Sequence, residues 1–209
     1  MYLRPAFVQT DPEQTIGLIR ANPFGILVSV APRLDASHIP FMLRREGEGF
    51  VLGGHLAAGN PQCACLNGGE ALVVFTGPHA YISPSWYETQ PAVPTWDYAA
   101  VHVYGTLRLT EDEAEVTEIL DTLALLDPAG FRLASLPADY RQRMLRGIRS
   151  FWLQPTRVET QWKMSQNRSV ADRKGVIAAL SAMSDPRAAE TAALIAQTLP
   201  VPAPDEQRP

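Results

Sequence analysis

Residues 162–169, WKMSQNRS, hold the densest set of groups able to grip an anion. Lys163 and Arg168 supply charge, while Ser165, Gln166 and Asn167 supply neutral donors. Ser169 and Asp172 then read as the cap of a helix over 170–180, so the N–H groups of a helix start open toward the same stretch. A capping turn with solvated charges explains the residues equally well. The four histidines, His38, His55, His79 and His102, fall on strands or strand ends. Hydrogen-bonded imidazoles at a ligand pocket are expected there, and nothing in their spacing requires a metal. Cys63 and Cys65 are one residue apart, too close for an unstrained disulfide and too few for a zinc site, so two reduced thiols are expected. The chain has no G-x-G-x-x-G after a strand, no phosphate loop, no H-E-x-x-H and no nucleophile elbow. No catalytic residue can be assigned.

Aromatic residues form the second chemical signal. Two stretches, GPHAYISPSWY (77–87) and PTWDYAAVHVYG (94–105), carry two Trp, four Tyr and two His. A stacking surface for single-stranded nucleic acid interleaves aromatics with basic residues, and 77–100 contains no Lys or Arg. Core packing, a wall for a planar ligand, or a dimer contact remain. A net charge of −4 argues against general nucleic-acid binding. Arg141, Arg143, Arg146 and Arg149 make a modest basic stripe within 139–150, best explained as a solvated helix face. With no helix-turn-helix in view, direct DNA binding is not expected. No apolar run approaches the roughly 20 residues of a membrane span, and the first residues lack the form of a signal peptide, so a cytoplasmic protein without membrane contact is expected.

The elements that must position these groups follow from period and punctuation. Thr10 with Glu13 predicts a capping box and a short helix that stops at Asn22-Pro23. Strands are expected over 24–30, 36–45, 50–56, 71–77, 99–109 and 148–162, with a turn at 46–49 and one helical turn in the connector 60–70. Four prolines between 78 and 94 predict a long ordered loop over 79–98. A second capping box, Thr110 with Glu113, precedes a helix with Val116, Ile119, Leu120 and Leu123 on one face. Pro137 is expected to open a helix with Tyr140, Met144, Leu145 and Ile148 on one side, and Asp185-Pro186 a last, Ala-rich one. Strands reappear after helices without βαβ alternation. The expected class is mainly β, an antiparallel barrel with peripheral helices.

Several segments in order, NPFGILVS (22–29), SHIPF (37–41), GHLAAGNPQ (54–62), FTGPHAYISPSWY (75–87), VPTWDYAAVHVYG (93–105) and KMSQNRSVADRKGVIAAL (163–180), resemble the PaiB-type family of FMN-binding negative transcriptional regulators. The resemblance covers roughly residues 1–180. It implies an antiparallel split β-barrel, a homodimer, and FMN as cofactor. A split-barrel domain is expected over 1–162 with helices inserted at 111–147, followed by a helical extension over 163–199, and the proline-rich, polar composition of 200–209 predicts a disordered tail. By looser similarity to split-barrel oxidases, residues 37–41 and 55–61 would contact flavin, and Pro155, Arg157, Glu159 and Trp162 resemble a further contact segment. The implied flavin set is Ser37, His38, His55, Leu56, Ala57 and Asn60, with Trp96 and Trp162 as walls. Gln166 is a further candidate polar contact, and Lys163, Ser165 and Arg168 are candidate phosphate ligands. Members of the family often read His-Leu-Ala-Arg before Asn-Pro, where this chain has His55-Leu56-Ala57-Ala58. Either Lys163 or Arg168 replaces the lost cation, or flavin binding is weak. A charge-assisted contact is worth about 1.5–3 kcal/mol, or roughly ten- to a hundredfold in affinity. Asp97, where the family often has Asn, adds negative charge and points the same way. A flavin-dependent oxidoreductase of unassigned substrate and a haem-binding split barrel are the alternatives.

Overall fold

The computed structural model describes residues 1–30, 33–124 and 127–200. Seven strands form one sheet in the order β2-β1-β5-β6-β7-β4-β3: β1 Phe24–Ser29, β2 Asp35–Pro40, β3 Met42–Glu46, β4 Gly49–Ala57, β5 Asn67–Ile82, β6 Thr95–Thr110 and β7 Ile148–Lys163. β1 pairs antiparallel with β2 and β5, β3 with β4, and β4 with β7. Among the described residues five α-helices accompany the sheet: α1 Pro12–Ala21, α2 Glu113–Ala124, α3 Ala138–Arg146, α4 Val170–Ser181 and α5 Pro186–Gln197.

Contacts divide the chain into two compact units. One comprises Met1–Thr10, Gly77–Ala100 and Thr160–Pro209; the other comprises Asp11–Thr76 and Val101–Glu159. β5, β6 and β7 each have a part in either unit.

In the larger unit the core forms around Phe41, Phe75 and Phe151, and around Met42, Val51, Ile119 and Trp152. Gly53 and Gly54 lie opposite Trp152 and Phe151 in the β4–β7 ladder. A Cβ at Gly53 would come within 2.8 Å of Ile119 and 3.0 Å of Trp152. The glycine pair therefore lets two large rings cover β4 and fixes the strand that carries His55. The β3–β4 hairpin turns at Gly47, whose φ of 57° no bulky residue adopts cheaply.

In the smaller unit, α4 and α5 bury Val176, Leu180, Ala188, Ala192 and Ile195. Arg173 closes the helix pair by donating to the Thr198 carbonyl at 2.6 Å. Gly175 is required by closeness: a Cβ there would meet the Trp86 carbonyl oxygen at 2.2 Å. Asp172 accepts from the Thr89 N–H at 2.9 Å. The SPSWYET stretch is thus a clamp on the start of α4.

Several expectations are corrected in detail. The caps of α1 and α2 are Asp11, accepting from Glu13 N, and Asp112, accepting from Ala114 and Glu115, rather than Thr10 and Thr110. The expected strand over 36–45 breaks at Phe41 into β2 and β3. The expected long loop shrinks to residues 83–94, because β5 continues to Ile82 and β6 begins at Thr95. Pro78 is tolerated within β5 because the ladder to β1 covers only Ala71–Val74, so the missing N–H falls past it. α3 buries none of its residues, and Tyr140 and Met144 are exposed. Ile148 belongs to β7, and the side chain of Leu123 lies outside the described residues. So does the expected disordered tail beyond residue 200.

Candidate functional site

The expected site residues fall into two groups, each within one unit. The first is Ser37, His38, His55, Leu56, Ala57 and Asn60 in the larger unit. Asn60 precedes a 3-10 turn, Pro61–Cys65, and its Oδ1 accepts from Gln62 N at 2.9 Å while its Nδ2 donates to Ser37 Oγ at 2.9 Å. The Asn-Pro pair thereby brings β2 to the end of β4. Gln62, 1% exposed, donates through Nε2 to the carbonyls of Leu27 and Asp35 and to Ser29 Oγ, and its Oε1 has no partner among the described residues. His55 Nδ1 is likewise buried without a partner, and burial holds its imidazole below the usual histidine range. His38 stands exposed on β2, 6.2 Å from the Phe24 ring. Leu56 is core, and Ala57 ends β4 in an exposed position.

The second group is Trp96, Trp162, Lys163, Ser165, Gln166 and Arg168 in the smaller unit. It is built around a residue not expected to be central. Asp97 is fully buried, accepts from Ser165 Oγ at 2.6 Å, and lies 3.5 Å from Lys163 Nζ. Lys163 also donates to Thr95 Oγ1 and the Trp96 carbonyl. Its three donors are therefore used within the chain. Burial pushes the Asp97 carboxyl above the usual aspartate range, against the pull of Ser165 and Lys163. Ser165 has φ 56°, a left-handed conformation that costs a non-glycine residue about 1 kcal/mol. Gln166 spans the same turn, accepting from Met164 N at 2.7 Å and donating to the Trp162 carbonyl at 2.5 Å. The K-x-S-Q-N-R stretch is an internal lock closed on a buried carboxylate.

Two members of this group keep unused polar atoms. The Arg168 guanidinium lies 4.3 Å over the Tyr87 ring and makes no ion pair among the described residues. Trp162 is 7% exposed with its indole N–H unpartnered. Trp96, 54% exposed, meets the rings of His79 and Tyr81 at 6.0 and 6.3 Å. Sequence reasoning took Asp97 only as added negative charge, not as the buried centre of this group, and missed Gln62. A lone acid between Trp and Tyr in a strand of otherwise apolar period was the available signal for the first; for the second there was none.

A flavin asks for a flat apolar wall, donors and acceptors for its pyrimidine edge, and a cation for its phosphate. The larger unit by itself offers the unpartnered atoms of His55 and Gln62, and the smaller by itself the exposed face of Trp96, the indole N–H of Trp162 and the unpaired Arg168, all of those types. The donor set fits the group. Among the described residues no cluster of three or more His, Cys, Asp or Glu could hold a metal ion.

The strand order and peripheral helices define a split-barrel protein. Among solved structures the chain is similar in fold to the FAD and heme binding protein from Mycobacterium smegmatis, with TM-score 0.57 at 17% identity over 74% of this chain and 72% of that one. It is also similar to the flavocytochrome Anf3 from Azotobacter vinelandii, with TM-score 0.51 at 12% identity over 77% and 72%. At such identities the likeness carries the fold. Residues 1–157 match the family described as "Putative FMN-binding domain", and the chain belongs to that family. It is 32% identical over 204 residues, 95% of this chain and 98% of the other, to the protease synthase and sporulation protein PAI 2 of Bacillus subtilis. The PaiB-type resemblance and the split-barrel fold are both upheld.

Proposed function

We propose that the chain binds FMN; each unit, taken by itself, holds candidate flavin contacts, Ser37, His55 and Asn60 in the larger and Trp96, Trp162 and Arg168 in the smaller. Membership of the FMN-binding family supports the ligand. The observation that carries the assignment is that each unit keeps buried polar atoms without a partner among the described residues, Gln62 Oε1 and His55 Nδ1 in the larger and Trp162 Nε1 in the smaller. Buried polar atoms are rarely left unpaired, and each is costly unless a ligand meets it. His55 held neutral by burial can donate or accept one hydrogen bond at a ring edge. Asn60, bonded to Ser37, orients the turn that presents Gln62. Arg168, held by Tyr87, is the phosphate cation; Lys163 and Ser165 spend their donors around Asp97 and serve stability rather than the flavin. A bound flavin would supply redox chemistry at its ring system.

We assign the chain to a homodimer, since Trp96, Tyr81 and Phe24 leave large apolar surface exposed. Among the described residues no helix is long and apolar enough to cross a membrane, and both cysteines are free; a cytoplasmic location is part of this reading. Regulation of transcription, the role of the PaiB type, is then indirect: Arg143 on α3 is engaged by Asp139, and the chain is net acidic. The test is to purify the protein, record its visible spectrum, and titrate the ligand-free form with FMN. Flavin bands or saturable FMN binding uphold the reading. The haem alternative has one observation in its favour: His79 Nδ1 bonds the Gly77 carbonyl at 3.0 Å, which leaves Nε2 able to ligate iron. A single strong haem band and indifference to FMN would favour it.

A further inference from the structure

A cleft of about 380 Å³ in the larger unit takes no part in the flavin reading. Its acids, Glu111 and Glu113, come from the link after β6 and the start of α2. Its bases, Arg146 and Arg149, come from the end of α3 and the start of β7. Val116, Leu145 and Ile148 supply the apolar wall. None of the four charged side chains forms an ion pair among the described residues, although they line one cleft. Neighbouring charges behave otherwise: Arg108 pairs with Glu115, Arg44 with Glu118 and Arg143 with Asp139. The Arg149 guanidinium is fixed in place by Nη1, which donates to the carbonyls of Ile148 at 2.8 Å and Arg146 at 3.4 Å. Ser150, 3% exposed, also lines the cleft, and its hydroxyl has no partner among the described residues. It stands opposite His55 in the β4–β7 ladder, yet the two polar atoms do not bond.

Opposite charges that share a cleft without reaching one another, across an apolar wall, complement a molecule that carries both charges at its ends. We propose that this cleft binds a small amphoteric compound of ω-amino-acid type. Its ammonium end faces Glu111 and Glu113. Its carboxylate faces Arg146 and Arg149 and accepts from the Ser150 hydroxyl. Its methylene chain covers Val116, Leu145 and Ile148.

The test is an amide-resolved NMR titration of the full chain with 6-aminohexanoate, and in parallel with hexanoate and hexylamine. The expected result is saturable shifts confined to residues near 110–116 and 142–150 with 6-aminohexanoate. Both single-charge compounds should bind at least about tenfold more weakly. Glu113→Gln and Arg146→Gln, both at exposed positions where folding is not at stake, should each lower affinity for 6-aminohexanoate about tenfold, and Ser150→Ala should lower it less. The same shifts should appear with and without FMN, which separates this site from the flavin reading. Absence of saturable shifts, equal binding of hexanoate, or indifference to both charge variants would overturn the proposal.

Discussion

The two groups of candidate residues differ in how their polar atoms are spent. Around Asp97 nearly every polar group is matched: Ser165 and Lys163 meet the carboxylate, Thr95 and the Trp96 carbonyl take the remaining lysine donors, and Gln166 bridges its own turn. Around Asn60 the turn is equally well tied, but Gln62 Oε1 and His55 Nδ1 are left buried and unpartnered. The lock around Asp97 is structural, and what is left for a ligand is the unspent atoms: Gln62 Oε1 and His55 Nδ1 in one region, Trp162 Nε1 and the Arg168 guanidinium in the other. Charge density in a sequence marks where strong interactions are made; whether a ligand makes them depends on what the fold has already used.

The comparison breaks most visibly at Asp97. Asp97→Ala should cost about 3 kcal/mol, because it strands Lys163 and Ser165 in a largely buried site. For a chain of this size that is a fall of roughly 10 °C in Tm, read by thermal unfolding. Asp97→Asn keeps an acceptor for Ser165 and should cost less than about 1.5 kcal/mol. In the other region the order of effects reverses. Asn60→Ala should weaken FMN binding about tenfold in a fluorescence titration, through loss of the contact that orients Ser37 and Gln62, with a stability loss of about 1 kcal/mol.

Proton linkage sharpens the contrast, since the two titrating groups shift in opposite senses. The folded state holds the Asp97 proton more tightly than the unfolded chain does. Its contribution is therefore full below the ordinary aspartate value and is lost as pH rises through the raised one. Asp97→Asn should gain on the wild type as pH rises through that window. His55 is shifted the other way, so its contribution is present above the ordinary histidine value of 6.5 and is lost as pH falls below it. His55→Gln should lose less stability than the wild type on acidification from pH 7 to pH 5, followed by denaturant unfolding. The smallest effect lies outside both regions. Asp112→Ala should cost about 1 kcal/mol through the loss of the α2 cap. Thr110→Val should act instead through Glu115, whose carboxyl is held down to about 2 chiefly by Arg108 and, against burial, also by Thr110.

Much of the fold was legible because its signals are local. Asn22-Pro23 ends α1, the Ser169–Asp172 bond caps α4, and Asp185-Pro186 opens α5 where punctuation places them. The apolar runs found the strands but not their lengths, since strand ends are set by partners: β5 continues through Pro78 once the β1 ladder has ended. The helix faces were less secure, and α3 presents Tyr140 and Met144 to solvent despite an amphipathic spacing. Within the candidate site, sequence reasoning singled out Asn60 as a polar flavin contact and Lys163 as a phosphate cation. It could not see that Lys163 closes on Asp97, because that contact joins residues 66 apart in the chain. Gln62 was invisible for a similar reason: a buried glutamine is identified only by the three acceptors that surround its amide, on β1 and at the start of β2.

The most direct test of the account is an FMN titration of three ligand-free proteins in parallel: wild type, Asn60→Ala and Lys163→Met. The account predicts saturable binding by the wild type, binding about tenfold weaker in Asn60→Ala, and near-wild-type affinity with a lowered Tm in Lys163→Met. Loss of FMN binding in Lys163→Met with none in Asn60→Ala would contradict it, and would make the charged lock, rather than the unpartnered neutral atoms, the flavin's anchor.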